Sequence, residues 1–169
     1  ELGAGQPFGL NLLAGSGPGR EAATVALYLK HGVRHVEAAA YVNITPGLVR
    51  FRLHGACRDA QGKAYAPNRI VAKVSRPEVA VQFMRPAPAH VVEALVASGH
   101  LSPAEASLAS ELPLAQDICV EADSGGHTDQ GVAYALMPAM QALRNEIQRE
   151  QRYHTPPRIG AAGGIGTPE

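Results

Sequence analysis

The sequence predicts an α/β fold built on a parallel sheet. Three observations carry that prediction. Five short apolar runs recur along the chain, at 8–13, 34–40, 69–75, 117–123 and 158–163, and none alternates cleanly between apolar and polar. Strands covered on both faces read this way. Stretches with helical spacing and helical start or stop signals lie between the runs. Polar residues collect at the same, C-terminal end of each run: Asn11, then Tyr41 and Asn43, then Lys73 and Ser75, then Glu121 to His127, then Gly163 to Thr167. Parallel α/β folds bind ligands at that end of their strands.

The elements follow in order. "FGLNLL" gives the first strand. "REAATVALYLKHG" (20–32) gives a helix with Val25, Leu27 and Leu29 near helical spacing and Gly32 as its stop. After the strand "RHVEAAA", Thr45 caps a helix that has Pro46 at its first position. "CRDAQGKAYAPN" (57–68) is a polar excursion with Gly62 and Pro67, suited to a small hairpin. "RIVAKVS" is the third strand. Segment 87–110 then adds helices, and Ser102, Pro103 and Glu105 form a capping-box pattern. These inserted helices either act as a lid over the substrate or thicken the helical layer. "DICVEAD" is the fourth strand. The helix 131–150 contains Pro138, which kinks it or marks its start. "RIGAAG" is the fifth strand, and Thr167-Pro168-Glu169 signals a further helix. Five strands with one more implied at each end predict a piece of a larger repeating fold. A complete eight-stranded α/β barrel takes about 250 residues.

Composition narrows the function. Of 169 residues, 46% are apolar and 18% charged, enough for a packed core. Net charge is zero, with no basic stripe, which argues against nucleic acid as partner. No apolar run reaches membrane-spanning length, so no membrane partner is expected. Cys57 and Cys119 lie far apart without metal-ligand spacing, so no metal is expected and the setting is reducing and cytoplasmic.

The candidate chemistry sits at the strand ends. In "EADSGGHTD", Gly125 and Gly126 let the loop fold tightly and present His127, with Asp123 or Asp129 placed to orient it. A histidine there moves a proton near neutrality, or is a solvated loop residue. In "AGGIGTPE", Gly163 and Gly164 form either a phosphate-binding turn at a helix start or a plain tight turn. Lys73 stands inside an apolar strand, where an unpaired ammonium is costly. It points into a polar mouth, or it meets Glu37 or Glu121 in an ion pair. The Asn11 amide can bond a donor and an acceptor of a planar heterocycle.

The segments "PFGLNLL", "HVEAAAYVNITPGLVRFRLHG", "NRIVAKVSRPEVAVQFMRPAP", "DICVEADSGGHTDQG" and "RIGAAGGIGTPE" closely resemble PfaD-type proteins. These are the trans-acting enoyl reductases of polyunsaturated fatty-acid and polyketide synthases, in the nitronate monooxygenase (2-nitropropane dioxygenase) superfamily. The resemblance runs through essentially the whole chain; "AKVSRPEVA" and "EADSGGHTD" are its most specific stretches. It implies a TIM (β/α)8 barrel that binds FMN, of which this chain covers about five central strands. It places the flavin-contacting asparagine on Asn11 and the glycine-rich phosphate turn on Ala162, Gly163 and Gly164. Lys73, Glu121, Asp123, Gly125 and Gly126 fall around the flavin, and the active-site histidine is His127. The implied reaction reduces an enoyl thioester on an acyl carrier protein, with NADPH as reductant and synthase components as partners, and it admits a homodimer. Two alternatives stand beside it: a nitronate monooxygenase-type flavin oxidase, and a truncated, non-catalytic docking module.

Overall fold

A computed structural model describes residues 6, 8–15, 17–122 and 131–163. Its framework is a five-stranded parallel sheet in the order β1 (Leu10–Leu13), β2 (His35–Ala39), β5 (Arg69–Val74), β6 (Asp117–Glu121), β7 (Arg158–Ala162). A two-stranded antiparallel hairpin, β3 (Cys57–Arg58) with β4 (Ala64–Tyr65), fills the polar excursion. Asp59 accepts the backbone N–H groups of Gln61 and Lys63, both at 2.9 Å, and Gly62 takes φ 77° to close the turn.

The helices start where local chemistry satisfies their free N–H groups. α1 (Pro18–Lys30) opens on a proline and ends at Gly32, whose φ is 68°. In α2 (Pro46–Leu53) the Thr45 hydroxyl accepts from Leu48 N at 3.3 Å. α5 (Pro103–Ser107) carries the full capping box, Ser102 Oγ accepting from Glu105 N and Glu105 accepting from Ser102 N. α3 (Pro77–Met84) and α4 (Ala89–Ala97) precede it, and a 3-10 turn (Ala109–Glu111) follows it. α6 (Ala133–Gln151) contains Pro138 in its interior, so that proline does not mark the helix start.

The strand order advances in one direction across the sheet. Right-handed crossovers then place every connecting helix on the same face. Burial agrees. Leu12, Val36, Ala38, Ile70, Ala72, Val74, Ile118 and Val120 point to the helices and share one core with Leu48, Phe51, Phe83 and Met84. Their strand neighbours Asn11, Glu37, Val71, Lys73 and Cys119 point to the other face and are half-buried or exposed. Among the described residues, helices therefore cover one face only, where the sequence predicted cover on both. The second face mixes Leu13, Ala39, Val71 and Ala162 with polar residues, and that mixture erased the period-two signal from the sequence.

Segment 87–110 packs against the helical layer. α4 lies on α2, and Glu105 Oε1 accepts the backbone N–H of Gly55, at the C-terminal turn of α2, at 2.6 Å. Arg58 of the hairpin binds Glu111 through two nitrogens, at 2.6 and 3.1 Å. No described helix is long and apolar enough to cross a membrane.

Candidate functional site

Strand register assembles the site on the helix-free face. Asn11 stands opposite Glu37, Lys73 opposite Cys119, Cys119 opposite Gly160, and Glu121 opposite Ala162. Residues two apart on neighbouring strands therefore converge, although Asn11 and Ala162 are more than 150 positions apart in the chain.

Lys73 is the centre of this face. Its Nζ lies 3.2 Å from Glu121 Oε1 and 3.6 Å from Glu37 Oε1. Of the two sequence readings of Lys73, the ion pair is present, and it is made with both carboxylates. The Glu121 side chain is only 2% exposed, Lys73 24% and Glu37 43%. The hydrogen bond to Glu121, with the charges of Glu121 and Glu37, outweighs burial and holds the Lys73 ammonium above the usual lysine range. Lys73 is therefore a fixed cation and hydrogen-bond donor at neutral pH, unsuited to act as a base.

Cys119 sits beside it in register. Burial is the largest influence and raises its thiol pKa, and Glu37 and Glu121 add to the rise, against the opposing pull of Lys73. A protonated thiol is a poor nucleophile. Iodoacetamide at neutral pH should therefore label the exposed Cys57 first and Cys119 far more slowly, read by peptide mass spectrometry. Equal labelling would show that the Cys119 thiol is neither shielded nor held protonated.

The C-terminal rim of the sheet holds a second polar group. Glu21 of α1 is buried and its Oε1 accepts from Tyr41 Oη at 2.8 Å and from Thr45 Oγ1 at 2.6 Å. A Cβ on Gly47 would fall 2.7 Å from the Glu21 carboxyl carbon, so glycine is what admits the carboxylate. Burial, then the hydrogen bond to Glu21, raise the Tyr41 phenol and keep it a donor. Ala40, between β2 and Tyr41, takes φ 60°, a strained value for a residue with a Cβ. Two small cavities open here. One of about 240 Å³ is lined by Leu13, Gly15, Glu21, Tyr41 and Thr45, and one of about 140 Å³ by Tyr41, Lys73, Ser75 and Arg76.

Of the residues expected from sequence, Asn11, Lys73, Glu121 and Ala162 come together on one face, and Gly163 follows β7 with φ 78°. The backbone oxygen of Asn11 accepts from Tyr28 Oη at 2.8 Å, which ties β1 to α1. Asp123, Gly125, Gly126, His127 and Gly164 lie outside the described residues. Sequence reasoning missed Glu21, Cys119 and the glycine at 47. The available signal for Glu21 was Gly47, an unfavourable residue directly after a helix-starting proline.

No family model matches the chain. Its relatives are nevertheless close. It is 48% identical to the polyketide biosynthesis protein PksE of Bacillus subtilis, over 100% of the chain and 22% of that protein. It is 51% identical to the polyketide biosynthesis protein ThaF of Burkholderia thailandensis, over 99% of the chain and 14% of that protein. It is 45% identical to a polyunsaturated fatty acid synthase polypeptide of a Thraustochytrium species, over 96% of the chain and 10% of that polypeptide. The chain therefore spans between 10% and 22% of the length of these relatives. Among solved structures it matches the enoyl reductase domain of MlnA, from the macrolactin biosynthesis cluster of Bacillus amyloliquefaciens. The TM-score is 0.91 at 40% identity, covering 97% of this chain and 37% of that one. In sequence and in fold, the chain is similar over nearly its whole length to proteins of polyketide and polyunsaturated fatty-acid biosynthesis.

Proposed function

We propose that the chain is part of an FMN-dependent enoyl reductase of the PfaD type, acting in trans on enoyl thioesters carried by acyl carrier protein within polyketide or polyunsaturated fatty-acid synthases. The observation that carries this reading is the similarity, across 97% of the chain, to a solved enoyl reductase domain. The one-directional sheet with helices on a single face is how a TIM (β/α)8 barrel is built, and its helix-free face would then line the interior.

That face suits a flavin. Asn11 and Lys73 supply hydrogen-bond donors, while Ala39, Gly160 and Ala162 keep side-chain volume small. A Cβ built on Gly160 meets nothing within 4 Å, so there is open space in front of the strand. Asn11, Lys73, Ala162, Gly163 and Gly164 would hold FMN, with Glu121, Asp123, Gly125 and Gly126 around it. When bound and reduced by NADPH, FMN supplies a hydride for the β-carbon of the enoyl thioester.

The chain's own residues do the rest. Glu121 and Glu37 hold Lys73 charged and in place, so its ammonium offers a donor that needs no reorganisation during the reaction. His127 delivers a proton to the α-carbon, completing addition of hydride and proton across the double bond. The test is direct. The purified protein should carry flavin absorbance and oxidise NADPH with a crotonyl-type carrier thioester, but not with nitroalkanes. His127→Ala should keep the flavin and lower kcat by about 10²–10⁴-fold, the usual worth of a positioned acid. A protein without flavin, or a His127→Ala variant with unchanged kcat, sinks the corresponding assignment.

A further inference from the structure

A larger cavity lies at the opposite, N-terminal end of the sheet. Its volume is about 520 Å³, within the range of small-molecule sites. Arg69 begins β5, Gln116 immediately precedes β6, and His154 and Thr155 precede β7. Arg52, at the end of α2, Lys63 in the hairpin and Arg152 after α6 complete its charged lining.

The charge of this lining is one-sided. Four cations, Arg52, Lys63, Arg69 and Arg152, face a single carboxylate, Glu111, which Arg58 already binds at 2.6 Å. Asp59, in the hairpin turn, accepts the backbone N–H groups of Gln61 and Lys63, and its charge acts on Lys63 and His154. Among the described residues, no carboxylate lies within ion-pair distance of Arg52, Arg69 or Arg152. The chain as a whole carries no net charge, so this is a local concentration.

Arg52 is the most telling member. It is 1% exposed, yet its hydrogen bonds run only to backbone carbonyls, Nε to Pro113 at 3.1 Å and Nη1 to Asn68 at 2.9 Å and Ala66 at 3.5 Å. Burial, with repulsion from Arg69, lowers its pKa to about 9. A buried guanidinium without a counter-charge is costly unless an anion completes it. Carbonyls fix its position and leave its charge unanswered.

We propose that this cavity binds a diphosphate-bearing small molecule, held by Arg69, Arg152 and Lys63 together with the fixed Arg52. Guanidinium groups lining a concave site are the usual partners of phosphate oxygens. The site lies at the far end of the strands from Lys73 and stands independently of the reductase reading.

Two variants test it without disturbing the fold. Arg152 has φ 53°, a left-handed value that glycine adopts freely, so Arg152→Gly removes the charge and suits the backbone. Arg69 is exposed, so Arg69→Gln is tolerated. Calorimetric titration of the purified protein with inorganic pyrophosphate should show saturable binding of one equivalent. Each variant should weaken it about tenfold, as loss of one charge-assisted contact does. Lys30→Gln, at the exposed end of α1, should leave it unchanged. Adenosine diphosphate, titrated in parallel, should lose affinity in the same two variants, with or without a gain from its nucleoside. No heat of binding at about 1 mM pyrophosphate, or equal affinity in wild type and both variants, overturns the proposal.

Discussion

Lys73→Met is expected to lower folding stability by about 3 kcal/mol, the low end of the cost of breaking a buried ion pair. The low end applies because Lys73 is 24% exposed. The cost arises at Glu121. Its side chain is 2% exposed and would lose the Lys73 ammonium at 3.2 Å, with Glu37 adding like charge nearby. Urea unfolding at pH 7 measures the loss. The double variant Lys73→Met with Glu121→Leu removes both charges and should recover most of it, because the buried carboxylate is removed together with the ammonium at 3.2 Å. A double variant as unstable as the sum of the singles would show that the pair does not couple. The pH dependence has a fixed sign. The folded-state pKa of Lys73 lies above its unfolded value, so its contribution is complete below the ordinary lysine range and is lost as pH rises through the folded value. The pair therefore stabilises throughout the neutral range. If the proposed flavin site is correct, the recovered double variant is folded but binds FMN poorly, which separates the functional role from the structural one.

Asn68→Leu should be at least as damaging, at about 4 kcal/mol. Asn68 is wholly buried, and its amide does three things at once. Nδ2 donates to Phe51 O at 2.7 Å and to His54 O at 2.9 Å, satisfying two carbonyls at the end of α2. Oδ1 accepts from Arg34 Nη1 at 2.9 Å. Leucine fills similar space but leaves two carbonyls unpaired, each worth about 1–3 kcal/mol, and displaces the arginine. Thermal unfolding with circular dichroism reads the result. Asn68→Asp is the informative companion: it keeps the contact with Arg34 and loses both donors, so it should be destabilised by most of the same amount. An Asn68→Asp variant as stable as wild type would place the weight on Arg34 instead.

These two residues show where sequence reading succeeds. Lys73 stood out because a charge inside an apolar run demands a partner. Glu37 and Glu121 were nameable because they too sit in predicted strands. Asn68 gave no such warning: it follows a proline in a polar stretch and reads as loop. Its partners are 14, 17 and 34 residues away and reach it only through the fold. Arg52 was equally silent. It lies in a helix with other basic residues and reads as solvent-facing, yet it contacts Pro113, 61 positions later. Glu21 is buried against Tyr41 and Thr45 for the same reason.

Local chemistry along the chain was enough to place most of the elements, though not α3 (Pro77–Met84). Thr45-Pro46 and Ser102-Pro103-Glu105 mark helix starts because a cap acts within four residues. The apolar runs marked the strands, and the polar residues at their ends located a candidate site. The folded chain was needed to establish which face of the sheet is covered, that Lys73 answers both carboxylates, and that four cations line one cavity at the N-terminal end. Strand register and crossover hand bring together residues from different elements, and such long-range pairings leave no trace in the spacing along the chain.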